Sequence, residues 1–531
     1  MTHEDQAFQS ILFLIQRGEL EGAKHQWNTL PARLKATAKM LQLMGIISIQ
    51  QKQFDEAAKY FKQAIKQAPV QAPLYVNLGN AYLEMGKLEQ AIDCYDRGIR
   101  LNPDLAELFY NRGLALKKAE KSAEALKSFK KAVKKKPVYA EAWNELALAY
   151  SEQGNLELAE EAANQALCEE SGRLRAWLMK ANVALARARP DEAEALFKRV
   201  LELDRNQPEA LLWLAMLELT EQSFEEGWVH YQARWMSSTR HDIGGIARTA
   251  NPKYQPGQGY RRVLVWSEQG VGDDVFFVNM LAALGSWGPE LLVTVDPRLL
   301  DIMKRSVPGV TFLSKREVLP DDQFDAHLPM GDLGLYLSSP DVIARRTQTS
   351  RFLESRPENR GSPSFALDFL KPGEKLCGIS WRSKAEKMGA GKSLKLAQLL
   401  PVLSVPGYAF INLQYGDVSE EIAEFRDRYG ITVHQLEGLD LFDDIEGLSA
   451  LIGLCDAVVS VSNVTAHLSG ALGQNTCLLR SNSYINSIWY WRNVREGQNV
   501  WYPSVKVVVQ AQSGEWGEAL GQVCEQLEVW R

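Results

Sequence analysis

The chain has little cysteine and no pattern that would pair it. Cys94, Cys168, Cys377, Cys455, Cys477 and Cys524 lie far apart with no C-x-x-C pair, so neither a zinc knuckle nor a disulfide framework is indicated. A reducing, cytoplasmic setting is expected. The start Met1-Thr2-His3-Glu4-Asp5 lacks the basic, then apolar, pattern of a signal peptide, and no uninterrupted apolar run reaches spanning length, so no membrane span is expected. Charge of one sign is also missing. With 60 basic against 66 acidic side chains the net charge is -6, which announces neither a nucleic-acid binder nor a membrane-surface protein. At 531 residues the chain is too long for one core and should be modular.

What is present first is a repeat. Gly45, Gly79 and Gly113 are spaced by 34, and Ala147, Ala181 and Ala215 continue the register. Ala23, Ala57, Ala91, Ala125, Ala159 and Ala193 form a second column, with Trp27, Phe61, Tyr95, Phe129 and Phe197 beside it, and Pro69, Pro103 and Pro137 close three units. Small residues let antiparallel helices approach, the aromatics wedge between neighbours, and proline stops the second helix. These columns resemble the tetratricopeptide repeat, as in Tyr75, Leu78, Gly79, Tyr82, Ala91, Tyr95 and Pro103. The resemblance implies an α-helical superhelix over residues 1–236 whose groove binds an extended peptide or another protein. A lysine-rich stretch from Lys117 to Lys136 is scattered by helical spacing and reads as a solvated face, with an acidic-partner patch as the alternative. Residues 237–259 turn rich in Gly, Pro and polar side chains and read as a linker.

From Arg261 short apolar runs alternate with helical stretches, which predicts parallel sheets with crossover helices. The first set comprises Val263 to Trp266, Leu291 to Val295 and Val310 to Leu313. The second begins after Pro372 and comprises Leu376 to Ser380, Tyr408 to Leu413, Ile431 to Val433, Ala457 to Val461, Thr476 to Leu479 and Val505 to Val509. Two Rossmann-like lobes, 260–370 and 371–531, are expected, with ligands at the carboxyl ends of the strands.

Four loops at such ends carry candidate chemistry. In the first, Glu268, Gln269, Gly270 and Gly272 form a substrate-facing turn before a helix from Val275, and Asp273 is placed to take a hydroxyl proton or to cap that helix. It is an incomplete dinucleotide fingerprint, because Val275 holds the third glycine position. The second, Trp381 to Ser393, ends in Gly-Lys-Ser, but Glu386 stands where a phosphate loop needs glycine. Its cations Arg382, Lys384, Lys387 and Lys392 suit a diphosphate, or are simply solvated. The third, Ser460 to Gly473, runs a strand into a small-residue helix, where free N–H groups with Ser462, Asn463, Thr465 and His467 make a phosphate seat or an ordinary cap. The fourth, Arg480 to Arg492, is dense in aromatics, among them Trp489, suited to stacking on a base or sugar or to packing between lobes.

Together Gly270-Val-Gly-Asp273, Gly378-Ile-Ser-Trp-Arg382 and Ser462 to Gly473 resemble the heptosyltransferase-like branch of GT-B glycosyltransferases, and the layout is similar to bacterial tetratricopeptide-repeat glycosyltransferases associated with flagellin modification. That resemblance implies Asp273 as catalytic base with Asp274 in reserve. It also implies Lys392, His467, Ser469 and Gly470 at the donor phosphates, no metal and no resident cofactor. Many relatives carry aspartate where this chain has Ser462. The implied activity moves a sugar from a nucleotide-sugar, a CMP-nonulosonic acid being one candidate, to a serine or threonine of a protein such as flagellin. Rival readings are a non-enzymatic scaffold, a nicotinamide oxidoreductase resting on Gly270, Gly272 and Asp296, and transfer to a lipid-linked or polysaccharide acceptor. Deleting residues 1–236 is expected to spare donor binding.

Overall fold

The computed structural model describes residues 3–168, 173–236, 249–282, 288–337, 351–356, 367–383, 392–485, 487–512 and 514–531. The chain divides into two compact units, Met1–Val183 and Ala184–Arg531.

The first unit is a stack of antiparallel helix pairs such as Ala72–Glu84 with Leu88–Leu101 and Ala106–Lys118 with Ser122–Lys135. The repeat columns explain its packing. A Cβ added to Gly45, Gly79 or Gly113 would collide with the ring of Phe61, Tyr95 or Phe129, so each glycine is the seat of the aromatic wedged against it. The lysine-rich stretch disperses as its spacing predicts. Lys117 pairs with the buried Glu145 at 2.8 Å, Lys135 with Asp104 at 2.6 Å, and Lys130 lies over the Tyr150 ring.

The second unit contains two parallel sheets. The first has strands β1 (Arg262–Trp266), β2 (Glu290–Val295), β3 (Val310–Ser314) and β4 (Ala326–Pro329), ordered β3-β2-β1-β4. The second has β5 (Lys375–Ser380), β6 (Tyr408–Asn412), β7 (Val433–His434), β8 (Ala457–Val461), β9 (Thr476–Arg480), β10 (Val494–Arg495), β11 (Gln498–Asn499) and β12 (Val505–Val509), ordered β10-β11-β12-β9-β8-β5-β6-β7. Leaving aside the β10–β11 hairpin, which runs antiparallel at the edge, this is the doubly wound order in which chain direction switches between β5 and β8. The strands are buried along nearly their whole length, as continuous apolar runs require when both sheet faces are covered. Two elements were not anticipated: β4, whose Ala-His-Leu-Pro run is short, and the β10–β11 hairpin.

The two compact units divide at Val183/Ala184, within the Arg173–Ala186 helix, so the last repeat falls in the second unit. The last repeat helices, Pro208–Thr220 and Phe224–Tyr231, share one core with the sheets. Trp228 is fully buried, 5.4 Å from the Trp489 ring, and Gly334 leaves room for it. Just beyond, Arg234 is inaccessible to solvent. It holds Asp332 and, at 2.8 Å, Glu268, while Lys253 reaches Asp332 at 2.5 Å. The last repeat is therefore a part of the α/β unit, and removal of residues 1–236 would cut into that core. The described end of the expected linker is also docked, since Tyr254 N–H donates to the His327 carbonyl at 2.8 Å.

Candidate functional site

The candidate residues converge where the carboxyl ends of β1, β5 and β8 meet across the two sheets. The helix after β1 is Val271–Ala282, starting four residues before the expected Val275, so Asp273 lies in its first turn. Its Oδ2 accepts from Gly270 N–H at 3.2 Å and its Oδ1 from the Tyr490 hydroxyl at 3.1 Å. Burial lifts the Asp273 pKa, against the opposing pull of those two hydrogen bonds. A carboxylate has about four acceptor positions, so two bonds leave it able to receive a proton.

Lys392 is buried at 5% exposure. Burial lowers its pKa, with the Asp273 charge opposing. Opposite them the Val464–Ala471 helix begins. Asn463 caps it, its Oδ1 accepting from Ala466 N–H at 3.4 Å, while its amide donates to Ser380 Oγ at 2.8 Å and the Arg382 carbonyl at 3.1 Å. Gln414 Oε1 accepts from the N–H groups of Trp381 at 2.9 Å and Arg382 at 2.7 Å. These two amides fix the switch-point loop. Thr465, fully buried, reaches the Leu413 carbonyl at 3.4 Å. Ser462 is buried at the strand end just before the cap. The N–H groups of Val464 and Thr465 have no acceptor among the described residues, leaving two donors at the positive end of a helix.

Several candidates have other work. Asp274 faces inward, taking the Ser267 hydroxyl and the Asp296 N–H at 2.9 Å, with Lys315 at 3.6 Å, and burial raises its pKa to about 7. It ties β1 to β2, which removes it as reserve base. Glu268 belongs to the Arg234 ion pair and accepts from Gly331 N–H at 2.8 Å rather than facing a substrate. Gly272 serves helix packing, since a Cβ there would stand 2.7 Å from His467 Cδ2. His467 itself is held by Tyr502 at 3.0 Å and Tyr490 at 3.3 Å. Burial, then the Lys392 charge, lowers its pKa to about 3, so it is neutral and brings no charge to a phosphate. Ser469 shares its buried hydroxyl with Thr476, and Gly470 lies under the Tyr502 ring, both inside the lobe rather than at a ligand surface. Trp489 is buried between Trp228, Phe276 and Trp501. Gln269 donates to the Tyr231 hydroxyl at 2.7 Å and lines a cavity beside Asp273. Asp296 pairs with Arg298 at 2.8 Å. Lys384 and Lys387 lie outside the described residues.

Other residues were missed. A cavity of about 700 Å³ opens at the ends of β5, β6 and β7, lined among others by Arg382, Gln414, Tyr415, Asp417, Gln435 and Asp440. Arg382 also pairs with Glu421 at 2.8 Å. The strand-end rule alone would have nominated the loops after β6 and β7. Arg480 and Arg492 are a second omission. Burial lowers their pKa values to about 10 and about 9, the Arg480 charge adding to the effect on Arg492. No ion pair with a carboxylate holds either among the described residues, and the Nε of each lacks a hydrogen-bond partner. No group of three or more His, Cys, Asp or Glu side chains that could hold a metal ion occurs among the described residues, and no described helix is long and apolar enough to cross a membrane.

Profiles of the tetratricopeptide repeat match residues 38–71, 60–93, 79–120, 110–173 and 178–227. The N-terminal helices are a tetratricopeptide solenoid. The chain is 31% identical to protein FlbA of Caulobacter vibrioides over 328 residues, covering 57% of this chain and 52% of FlbA. It therefore spans about half the length of that relative. Among solved structures, MamA is 26% identical, covering 30% of this chain and 95% of its own, with a TM-score of 0.28. A tetratricopeptide repeat protein from Parabacteroides merdae is 18% identical, covering 45% and 94%, with a TM-score of 0.37. Tetratricopeptide repeats are protein-binding surfaces, which gives the first unit an interaction role.

Proposed function

We propose that the second unit transfers a sugar from a nucleotide-sugar to a hydroxyl of a protein that the repeats bind. The observation carrying this reading is a half-buried carboxylate, Asp273, and a buried cation, Lys392, near enough to act on each other's charge at the carboxyl ends of the two doubly wound sheets. Such a pair suits a base on the acceptor side and charge stabilisation on the donor side.

In this reading the nucleotide lies in the polar cavity at β5, β6 and β7, with its phosphates toward Lys392, Arg382 and the N–H groups of Val464 and Thr465. The acceptor oxygen attacks the anomeric carbon, its proton passes to Asp273, and the sugar–phosphate bond breaks with its electron pair leaving on the phosphate. Tyr490 and Gly270 orient the carboxylate throughout. Flagellin as acceptor rests on the resemblance of the loops.

A scaffold without chemistry is the second reading, favoured by Ser462 at a position where relatives carry aspartate and by the packing roles of His467, Ser469 and Gly470. A thermal-shift screen against UDP-, GDP-, ADP- and CMP-sugars separates the two, because a ligand raises apparent stability by mass action. The transferase reading expects a shift with one class, lost in Lys392→Ala, and an Asp273→Asn variant that keeps the shift and loses transfer. No shift with any donor supports the scaffold.

A further inference from the structure

We propose that the cavity beside Asp273 is an acceptor pocket that takes an apolar side chain of the bound polypeptide, within two residues of the hydroxyl that receives the sugar. The proposal rests on the transferase reading for the identity of that hydroxyl. The pocket itself stands on its own geometry.

The cavity holds about 330 Å³ and its walls are mostly carbon: Leu212, Trp213 and Met216 from the Pro208–Thr220 helix, Phe277 from the helix that carries Asp273, and Ile488 from the aromatic loop. Leu212, Met216 and Thr220 recur every fourth residue, so they form one face of the Pro208–Thr220 helix. The same helix buries Ala215 and Leu219 in the common core, while the cavity-facing residues Leu212, Trp213 and Met216 stay only partly covered. Asp273 closes one wall. An apolar group seated here therefore sits beside the carboxylate proposed to take the proton.

The polarity of the two cavities assigns their occupants. A nucleotide or sugar brings hydroxyl and phosphate oxygens that must find partners once buried, and in the larger cavity Arg382 can meet phosphate oxygens while Asp417 and Asp440 can accept from hydroxyls. The smaller one offers little of this. Gln269 is engaged with Tyr231, and the Arg492 guanidinium lies 3.5 Å from the Tyr484 ring centre and donates to the Asn482 carbonyl. A volume near the lower end of the roughly 300–1,000 Å³ usual for ligand sites suits one or two side chains. In an extended segment, side chains two residues apart point the same way about 7 Å from each other. A hydroxyl at Asp273 and an apolar group in the cavity then come from one face of one strand.

The experiment uses the full chain and two synthetic peptides, alike except for leucine or alanine two residues from a single serine, with binding followed by calorimetry. The leucine peptide is expected to bind about fifty-fold more tightly, the scale of burying the three extra carbons. Met216→Trp, which fills the cavity, should equalise the two peptides, and Leu212→Trp, one turn earlier, repeats the test should the first variant fail to fold. Equal affinities in the unaltered chain, no binding of either peptide included, overturn the proposal. So does a leucine preference that survives in a folded filled variant, or displacement of the peptide by farnesyl phosphate at lower concentration, which would assign the cavity to a lipid-linked acceptor. A leucine preference lost on filling, in a chain that binds no sugar-nucleotide, keeps the pocket and removes the transferase.

Discussion

Gly272→Ala tests the contact that brings the two lobes together. The added Cβ would stand 2.7 Å from Cδ2 and 3.0 Å from Nε2 of His467. The imidazole has nowhere to retreat, being bonded to Tyr502 at 3.0 Å and Tyr490 at 3.3 Å and packed 4.8 Å from the Trp491 ring centre. The Val271–Ala282 and Val464–Ala471 helices must therefore separate, an overpacking cost of about 1–3 kcal/mol. Alanine's better helix propensity returns at most about 1 kcal/mol of it. A net loss of up to about 3 kcal/mol follows, with Asp273 displaced from Tyr490 and the proposed transfer reduced. At Gly270 the nearest atom to an added Cβ is Asp273 Oδ2 at 3.5 Å, an ordinary contact. Gly270→Ala should then stay within about 0.5 kcal/mol of the parent. Urea unfolding followed by tryptophan fluorescence measures both, and a His467→Ala background should relieve most of the Gly272→Ala cost, as contacting residues are non-additive. Equal losses at the two glycines, or no relief in that background, would refute the reasoning.

A chain beginning at Ala184 should unfold cooperatively by circular dichroism, whereas one beginning after Met236 should not, because it lacks Trp228 and Arg234. Arg234→Met leaves Glu268 buried without its cation and Asp332 with Lys253 alone, and should cost about 3–5 kcal/mol in denaturant. Arg262→Met removes only the exposed pair with Glu290 and should cost under about 1 kcal/mol. Asp274 holds its proton more tightly folded, with a pKa of about 7, than unfolded at 3.8, so its contribution makes stability rise as pH falls from 8 toward 5. Asp274→Asn should remove that dependence, as measured by melting temperature across the range.

The repeats were legible because their signal is local and periodic: each small residue and its aromatic partner sit a fixed distance apart in the chain. Strands β5, β8 and β12 were equally visible as apolar runs between turn residues. The site was legible only in part. Asp273 could be nominated from its loop, but Tyr490, which orients it, lies 217 residues away, and nothing local links the two. Glu268 looked like a substrate residue because its partner Arg234 belongs to the end of the repeats. Ser469 and Gly470 followed a motif whose physical reason here is helix packing against Tyr502 and Thr476.

A solenoid ordinarily finishes in a capping helix with a polar outer face, because an unpaired last repeat would expose its apolar side to water. Here Phe224, Trp228 and Tyr231 take the place of that polar face, and the β1 sheet covers them. The β1 sheet thus caps the last repeat. The final repeat shares the α/β core and cannot be exchanged without repacking it. Its sequence must answer to the proposed pocket on one side and to an interior on the other.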